Sequence, residues 1–257
     1  MRKVLAAIAV VTGLFSLVPK AEAVPVLVFG DRSGDQAALT SDLTTLGHTV
    51  TNVSTAAAAG LDFSNFSTIW TLQIFSNFNS LLPDLQVFLN AGGGIHFTGE
   101  RPCCEAGNDT IQSFLNANVT GGGLQVGNLG DTSATSSFNG SAVGDVSTAP
   151  NTLTTFNKSS AGKITGASGD NILASTSADV LGAVFDSTDL VNGAGRITVL
   201  MDVNWFSNSG AEPVVENLQT FLQSAPTGGG EVPEPGMLAL LGLGLTGLAL
   251  QRRRKRG

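Results

Sequence analysis

Between residues 24 and 115, apolar runs of strand length alternate with stretches whose apolar residues recur at helical spacing, and that alternation leaves few folds open. Val24 to Gly30 is a continuous apolar run that ends in Asp31-Arg32-Ser33-Gly34-Asp35, the pattern of a buried strand leaving a sheet. Gln36 to Leu46 places Ala38, Leu39, Leu43 and Leu46 on one helical face and stops at Gly47, a fitting C-cap. His48 to Val53 and Thr68 to Leu72 read as strands, and Leu81 to Leu89 as a helix ended by Asn90-Ala91-Gly92-Gly93-Gly94. Ile95 to Thr98 is then a fourth strand, with a helix from about Asp109 to Leu115. Strands apolar at nearly every position and separated by helices pack as a mostly parallel sheet covered on both faces, so the fold class is α/β.

Residues 118 to 180 change character, with Gly, Ser, Thr and Asn dominant and short alternating stretches at Leu153 to Phe156 and Ile172 to Ser175. They predict a small β-rich insertion of antiparallel strands and loops. Arg196 to Val203 returns as a strongly apolar strand, followed by Asn204-Trp205-Phe206 and a last helix from Pro213 to Leu222. The opening strand and helix ending "LGHTV", the passage "LQVFLNAGGGIHFTGE" and the closing "GRITVLMDVNWFS" resemble the class I glutamine amidotransferase-like fold, in its trehalose-utilisation-protein or flavodoxin-like branch. The resemblance implies the fold and not an activity. That family places a nucleophilic Cys at a strand-to-helix elbow and a His later in the chain. Here Arg101-Pro102-Cys103-Cys104-Glu105 lacks the glycine-flanked elbow, and the two histidines, His48 and His96, both precede the cysteines. The Cys-His pair is therefore not carried over, and no catalytic residue is assigned.

The two ends carry addresses. Residues 1 to 23 have a basic start (Arg2, Lys3), an apolar stretch from Val4 to Val18 and the small residues Ala21 and Ala23, the layout of a signal peptide cut after Ala23 by signal peptidase. A Gly-rich linker at 226–231 follows the domain at 24–225. Pro233-Glu234-Pro235 then precedes an apolar run at 236–250 and the basic tail Arg252-Arg253-Arg254-Lys255-Arg256. A short apolar helix ending in five cations is a transmembrane helix held with its C-terminus in the cytoplasm. Its glycines, Gly242, Gly244 and Gly247, make it a weak anchor. This tripartite end, residues 232–256, resembles the PEP-CTERM sorting signal of Gram-negative bacteria, also known as the ice-binding-protein C-terminal-type domain. The resemblance implies that an exosortase recognises Pro233, Glu234 and Pro235. The chain would pass through the inner membrane as an intermediate and reach the cell surface or the exopolysaccharide matrix of a biofilm.

Eight of the 13 Lys and Arg residues lie in the first 20 and last 6 positions, so residues 24 to 250 keep five basic residues against nineteen acidic ones. Such a surface repels phosphate backbones, so no nucleic-acid partner is expected. In an open α/β sheet the crevice forms from loops at the carboxyl ends of the strands. Those loops gather Asp31, Arg32 and Asp35, then Gln73, then Glu100, Arg101, Cys103, Cys104 and Glu105, then Asp202, Asn204 and Trp205. Trp205 is expected to stack on a sugar face, with Glu100, Arg101, Asp202 and Asn204 hydrogen-bonding hydroxyls. Two cysteines in an oxidising compartment suggest pairing, which for neighbours means a vicinal disulfide stiffening the crevice mouth; free thiols or an intermolecular bridge are the alternatives. The carboxylates could hold Ca²⁺, but neither an EF-hand nor a zinc spacing occurs, and a solvated acidic rim accounts for them, so neither a metal nor another cofactor is expected. The reading that follows is a non-catalytic glycan-binding or structural module. The alternative is a secreted carbohydrate-active hydrolase with Glu100 and Asp202 as its acid and base.

Overall fold

The computed structural model describes residues 23–224. The expected signal peptide up to Glu22, the linker at 226–231, Pro233-Glu234-Pro235, the apolar run at 236–250 and the basic tail lie outside the described residues. Among the described residues no helix is long and apolar enough to cross a membrane.

The first part of the chain runs β1 (Pro25–Gly30), α1 (Ser33–Thr45), β2 (Thr49–Ser54), the single turn α2 (Thr55–Ala58), β3 (Thr68–Leu72), α3 (Leu82–Asn90), β4 (Gly94–Gly99) and α4 (Glu105–Asn118). Five strands follow, β5 (Gln125–Thr132), β6 (Ser137–Phe138), β7 (Ala161–Thr165), β8 (Ile172–Ser175) and β9 (Val180–Phe185), and the chain returns through β10 (Arg196–Met201) to α5 (Ala211–Gln223). All lie in one sheet, ordered β2-β1-β3-β4-β10-β9-β7-β5, with β8 on β9 and β6 on β8. The first five in that order are parallel and the pairings beyond β10 are antiparallel. The insertion thus extends the main sheet rather than forming a separate body.

The step from β1 to β2 runs one way along the sheet and the step from β3 to β4 the other, so right-handed crossovers put α1 and α3 on opposite faces. With α1 lies α5, whose Gln219 accepts hydrogen bonds from Thr68 Oγ1 and Trp70 Nε1. On the other face Phe97 packs between Phe78 and Phe114, and Phe78 meets Phe29. Every residue of β3 and β4 is buried, as the continuous apolar runs predict. Val87 of α3 is the exception to its helix's apolar reading: it is 70% exposed because it falls off the face made by Leu85, Phe88 and Leu89.

One expected strand is absent. Leu153–Phe156 makes a single bridge from Thr155 to Ser137, flanked by the bonds Phe138 N to Thr154 O and Phe156 N to Ser136 O. Its partner β6 is only two residues long, which leaves nothing further to pair with.

Candidate functional site

The strand order reverses between β1 and β3, and doubly wound sheets bind ligands beyond the carboxyl ends of strands at such a point. A cleft of about 220 Å³ lies there. Its lining comes from Arg32 after β1, Ile74 and Phe75 after β3, Glu100, Arg101, Cys103 and Cys104 after β4, Val203 and Asn204 after β10, and Ser159 and Ser160 before β7. The structure brings together six of the sequence candidates on this wall: Arg32, Glu100, Arg101, Cys103, Cys104 and Asn204.

Asp31 and Asp202 stand behind the wall as supports. Asp31 accepts hydrogen bonds from Ile74 N at 3.0 Å, Phe75 N at 2.8 Å and Gln73 Nε2 at 2.6 Å, so one carboxylate stitches the β1 loop to the β3 loop. That bonding turns Phe75 outward, where it is 58% exposed. The Arg32 guanidinium lies 5.7 Å from the centre of the Phe75 ring, a cation–π arrangement, and its Nε donates to Asp35 at 3.1 Å. Asp35 in turn accepts from Ser207 Oγ.

Asp202 is fully buried and adopts φ +78°, rare for any residue but glycine. Three donors hold it there: Ser159 N, Asn204 N and Asn204 Nδ2. The bond to Ser159 ties the antiparallel half to the end of β10. Burial lowers the affinity of neighbouring Lys158 for its proton, against the pull of the Asp202 charge.

Glu100 is the one carboxylate on the cleft wall. Its Oε1 accepts from Arg101 N at 2.9 Å and its Oε2 from Val203 N at 3.2 Å. Burial pushes its pKa up and the Asp202 charge adds to this, while the two N–H groups and Arg101 work in the opposite direction. The Asn108 amide pairs with the Glu100 backbone, accepting from its N–H and donating to its carbonyl, and so fixes the loop after β4. A side chain at Gly127 would run into both groups, and its φ of +77° also favours glycine.

The Cys103 and Cys104 sulfurs are bonded to each other, with Cα atoms 3.8 Å apart. Cys103 is exposed at the cleft mouth and Cys104 is buried. Neither histidine approaches them. His48 Nδ1 accepts from Val24 N at the opposite end of the strands, and His96 lies in the sheet interior against Trp70, Trp205 and Phe206. Burial drives the His96 pKa down to about 3.

Trp205 corrects the sequence reading. It is 2% exposed, stacked on Phe206 at 3.9 Å and edge-on to Phe156, so it has no face to offer a ligand. The cause is the turn at Asp202, which starts a 3-10 turn over Val203–Ser207 and folds Trp205 and Phe206 inward beside His96. The cleft also takes Ile74, Phe75, Ser159, Ser160 and Val203, none of which the sequence reading singled out. Phe75 lies three residues beyond the end of β3, in the loop at the strand-order reversal, the one positional signal it carries. Glu105 lies on the first turn of α4 and Gln73 is buried in bonds to Asp31 and Thr55; neither lines the cleft. Among the described residues there is no group of three or more His, Cys, Asp or Glu placed to hold a metal.

Residues 231–255 match the PEP-CTERM protein-sorting motif. That motif implies an exported chain, processed by exosortase and sorted via the membrane to the cell surface. No curated protein matches the chain. Among solved structures, a cytoplasmic protein from Salmonella typhimurium LT2 is similar at 12% identity and a TM-score of 0.55, over 77% of this chain and 99% of that one. A ThuA-like protein from Bacteroides uniformis is similar at 11% identity and a TM-score of 0.47, over 80% of this chain and 93% of that one. A GMP synthase protein from Thermoplasma acidophilum has 11% identity and a TM-score of 0.47, over 78% and 94%. The first of these carries the fold, an α/β sheet of this arrangement, and nothing about activity.

Proposed function

We propose that this chain is a surface or matrix protein of a Gram-negative bacterium whose α/β domain, residues 24–225, is a non-catalytic saccharide-binding module. On this reading signal peptidase cuts after Ala23, the run at 236–250 holds the chain briefly in the inner membrane, and exosortase acts at Pro233-Glu234-Pro235. Replacing those three residues by alanine leaves uncleaved protein in the membrane fraction; normal release of the variant defeats this route.

The observation that carries the domain's role is the exposed Phe75 ring in one cleft with the Cys103–Cys104 pair, Ser159, Asn204 and two arginines. A pyranose ring has an apolar C–H face and a polar rim, and this cleft offers an aromatic face beside hydroxyl, amide and guanidinium groups. Its volume is below the ~300 Å³ of pockets for drug-sized ligands, which suits one ring of a longer saccharide. Catalysis is poorly served, because Asp202 is fully buried behind the wall and only Glu100 of the pair faces the cleft. The hydrolase alternative would need Asp202 to reach a ligand from which it is shut off.

Affinity electrophoresis of the full chain against soluble polysaccharides tests the reading. We expect retardation by at least one polymer, and at least tenfold weaker binding for Phe75→Ala. No binding to any polymer, or binding indifferent to Phe75, defeats it. Release of new reducing ends would favour the hydrolase.

A further inference from the structure

We infer that the saccharide unit taken by this cleft carries a carboxylate, as a uronic acid does, and that Arg101 receives it. The inference rests on the saccharide-binding reading above and adds the charge of the ligand.

The first observation is where the cations are. The described residues contain five, Arg32, Arg101, Lys158, Lys163 and Arg196, in an acid-rich domain. Arg32 and Arg101 line the same small cleft, whereas Lys158, beside Ser159, donates to Thr132 O and does not line it. Scattered surface arginines serving only solubility would not converge where the strand order reverses.

The second observation is how firmly each is already engaged. Arg32 is held by Asp35 at 3.1 Å through both Nε and a terminal nitrogen, and Asp35 is itself anchored by Ser207. Arg32 is thereby fixed beside the Phe75 ring as part of the platform. Arg101 is different: its contact is Asp131 at 3.9 Å, the outer limit of an ion pair, and both side chains are about half exposed. Asp131 accepts a shorter bond, 2.7 Å, from Ser160 Oγ. An exposed pair this loose is screened by solvent and contributes little, so a ligand carboxylate can displace it at little cost.

The third observation is that the wall itself carries a single acid, the other nearby carboxylates lying behind or beside it. Glu100 is its only acid, and both its oxygens face backbone N–H groups at the base of the loop. A guanidinium presents paired donors that match a carboxylate's two oxygens, a geometry hydroxyls do not exploit. A ring seated on Phe75 with its carboxylate toward Arg101 uses the aromatic, the cation and the polar wall together.

Calorimetric titration of the full chain at physiological ionic strength, which screens the acidic domain's general repulsion of a polyanion, tests this with polygalacturonate, alginate and a glucuronan, each paired with its methyl ester. Each pair shares one backbone and differs in whether the carboxylate is free. The expected result is at least tenfold tighter binding of one acidic polymer than of its ester. Arg101→Ala should remove that preference while leaving the weak binding of the ester, and Arg101→Lys should restore part of it. Equal affinity for acid and ester, a preference that survives Arg101→Ala, or binding confined to neutral polymers overturns the carboxylate inference and leaves the saccharide reading standing. No binding to any polymer, acidic or neutral, overturns both. Circular dichroism of the exposed-site variants confirms that they are folded.

Discussion

The parallel and antiparallel halves of the sheet share apolar burial where they meet but differ in how their outer parts are held. In the parallel half, β3, β4 and β10 bury every residue and β1 all but its first, and only the edge strand β2 buries none, so its stability is that of a packed apolar core. In the antiparallel half β9 still buries five of its six residues, but the outer strand β5 buries only two of its eight, and the loops are pinned by side chains bonded to backbone. Asn139 donates to Gly169 O and Ile172 O, Asn171 to Val184 O, and Ser136 to Phe156 O. A core of apolar side chains tolerates many substitutions of similar volume, whereas each such amide suits one loop geometry. A Gly-, Ser- and Asn-rich segment can be ordered without a large core of its own if its amides find the right carbonyls.

The largest blow to that contrast is a cavity in the parallel half. Phe97→Ala removes the fully buried ring between Phe78 and Phe114 and should cost about 3 to 5 kcal/mol, read as a lower urea midpoint. A loss below about 1 kcal/mol would break the claim that apolar packing holds this half.

Asn217 tests the other half. It is fully buried on α5 and donates to Val146 O and Asn151 O while accepting from Asn151 N. Asn217→Ala strands those groups and should cost about 2 to 3 kcal/mol. Faster hydrogen exchange should be confined to residues 145–157; loosening spread evenly over the parallel strands would count against a local role.

The smallest expected effect comes from His96, at the centre of the parallel half. It is buried, shares a hydrogen bond with Thr198 Oγ1 and has a pKa of about 3, against about 6.5 for an exposed histidine. Below pH 6.5 the unfolded chain binds a proton that the folded chain refuses, so stability falls as pH drops toward 3. The slope from this one group is about 1.4 kcal/mol per pH unit, or ~2 kcal/mol by pH 5. Unfolding curves at pH 7 and pH 5 should show that loss, and His96→Gln should reduce it; an unchanged pH dependence in the variant would remove His96 as its source.

Much of the parallel half was legible because burial on both faces leaves an unbroken apolar run. Thr68–Leu72 and Ile172–Ser175 are strands with the bounds their residues suggest. Leu153–Phe156 looked equally strand-like, yet a strand exists only if a partner runs beside it, and β6 is too short. In the cleft, the charged residues were legible as a group because they follow strand ends. The aromatic was not: Trp205 and Phe75 both follow strands, and residue type alone does not say which ring turns inward.

By itself the sequence determined the order of strands and helices around the parallel sheet, the acidity of the domain and the sorting motif, because these depend on local composition and spacing. Tertiary structure decided which ring meets solvent. Asp31 draws the backbone of Ile74 and Phe75 toward β1 and leaves the Phe75 ring outside, while Asp202, held at positive φ by Ser159, turns Trp205 into the core. Both outcomes depend on hydrogen bonds between residues far apart in the chain, and no local pattern encodes where such a bond closes.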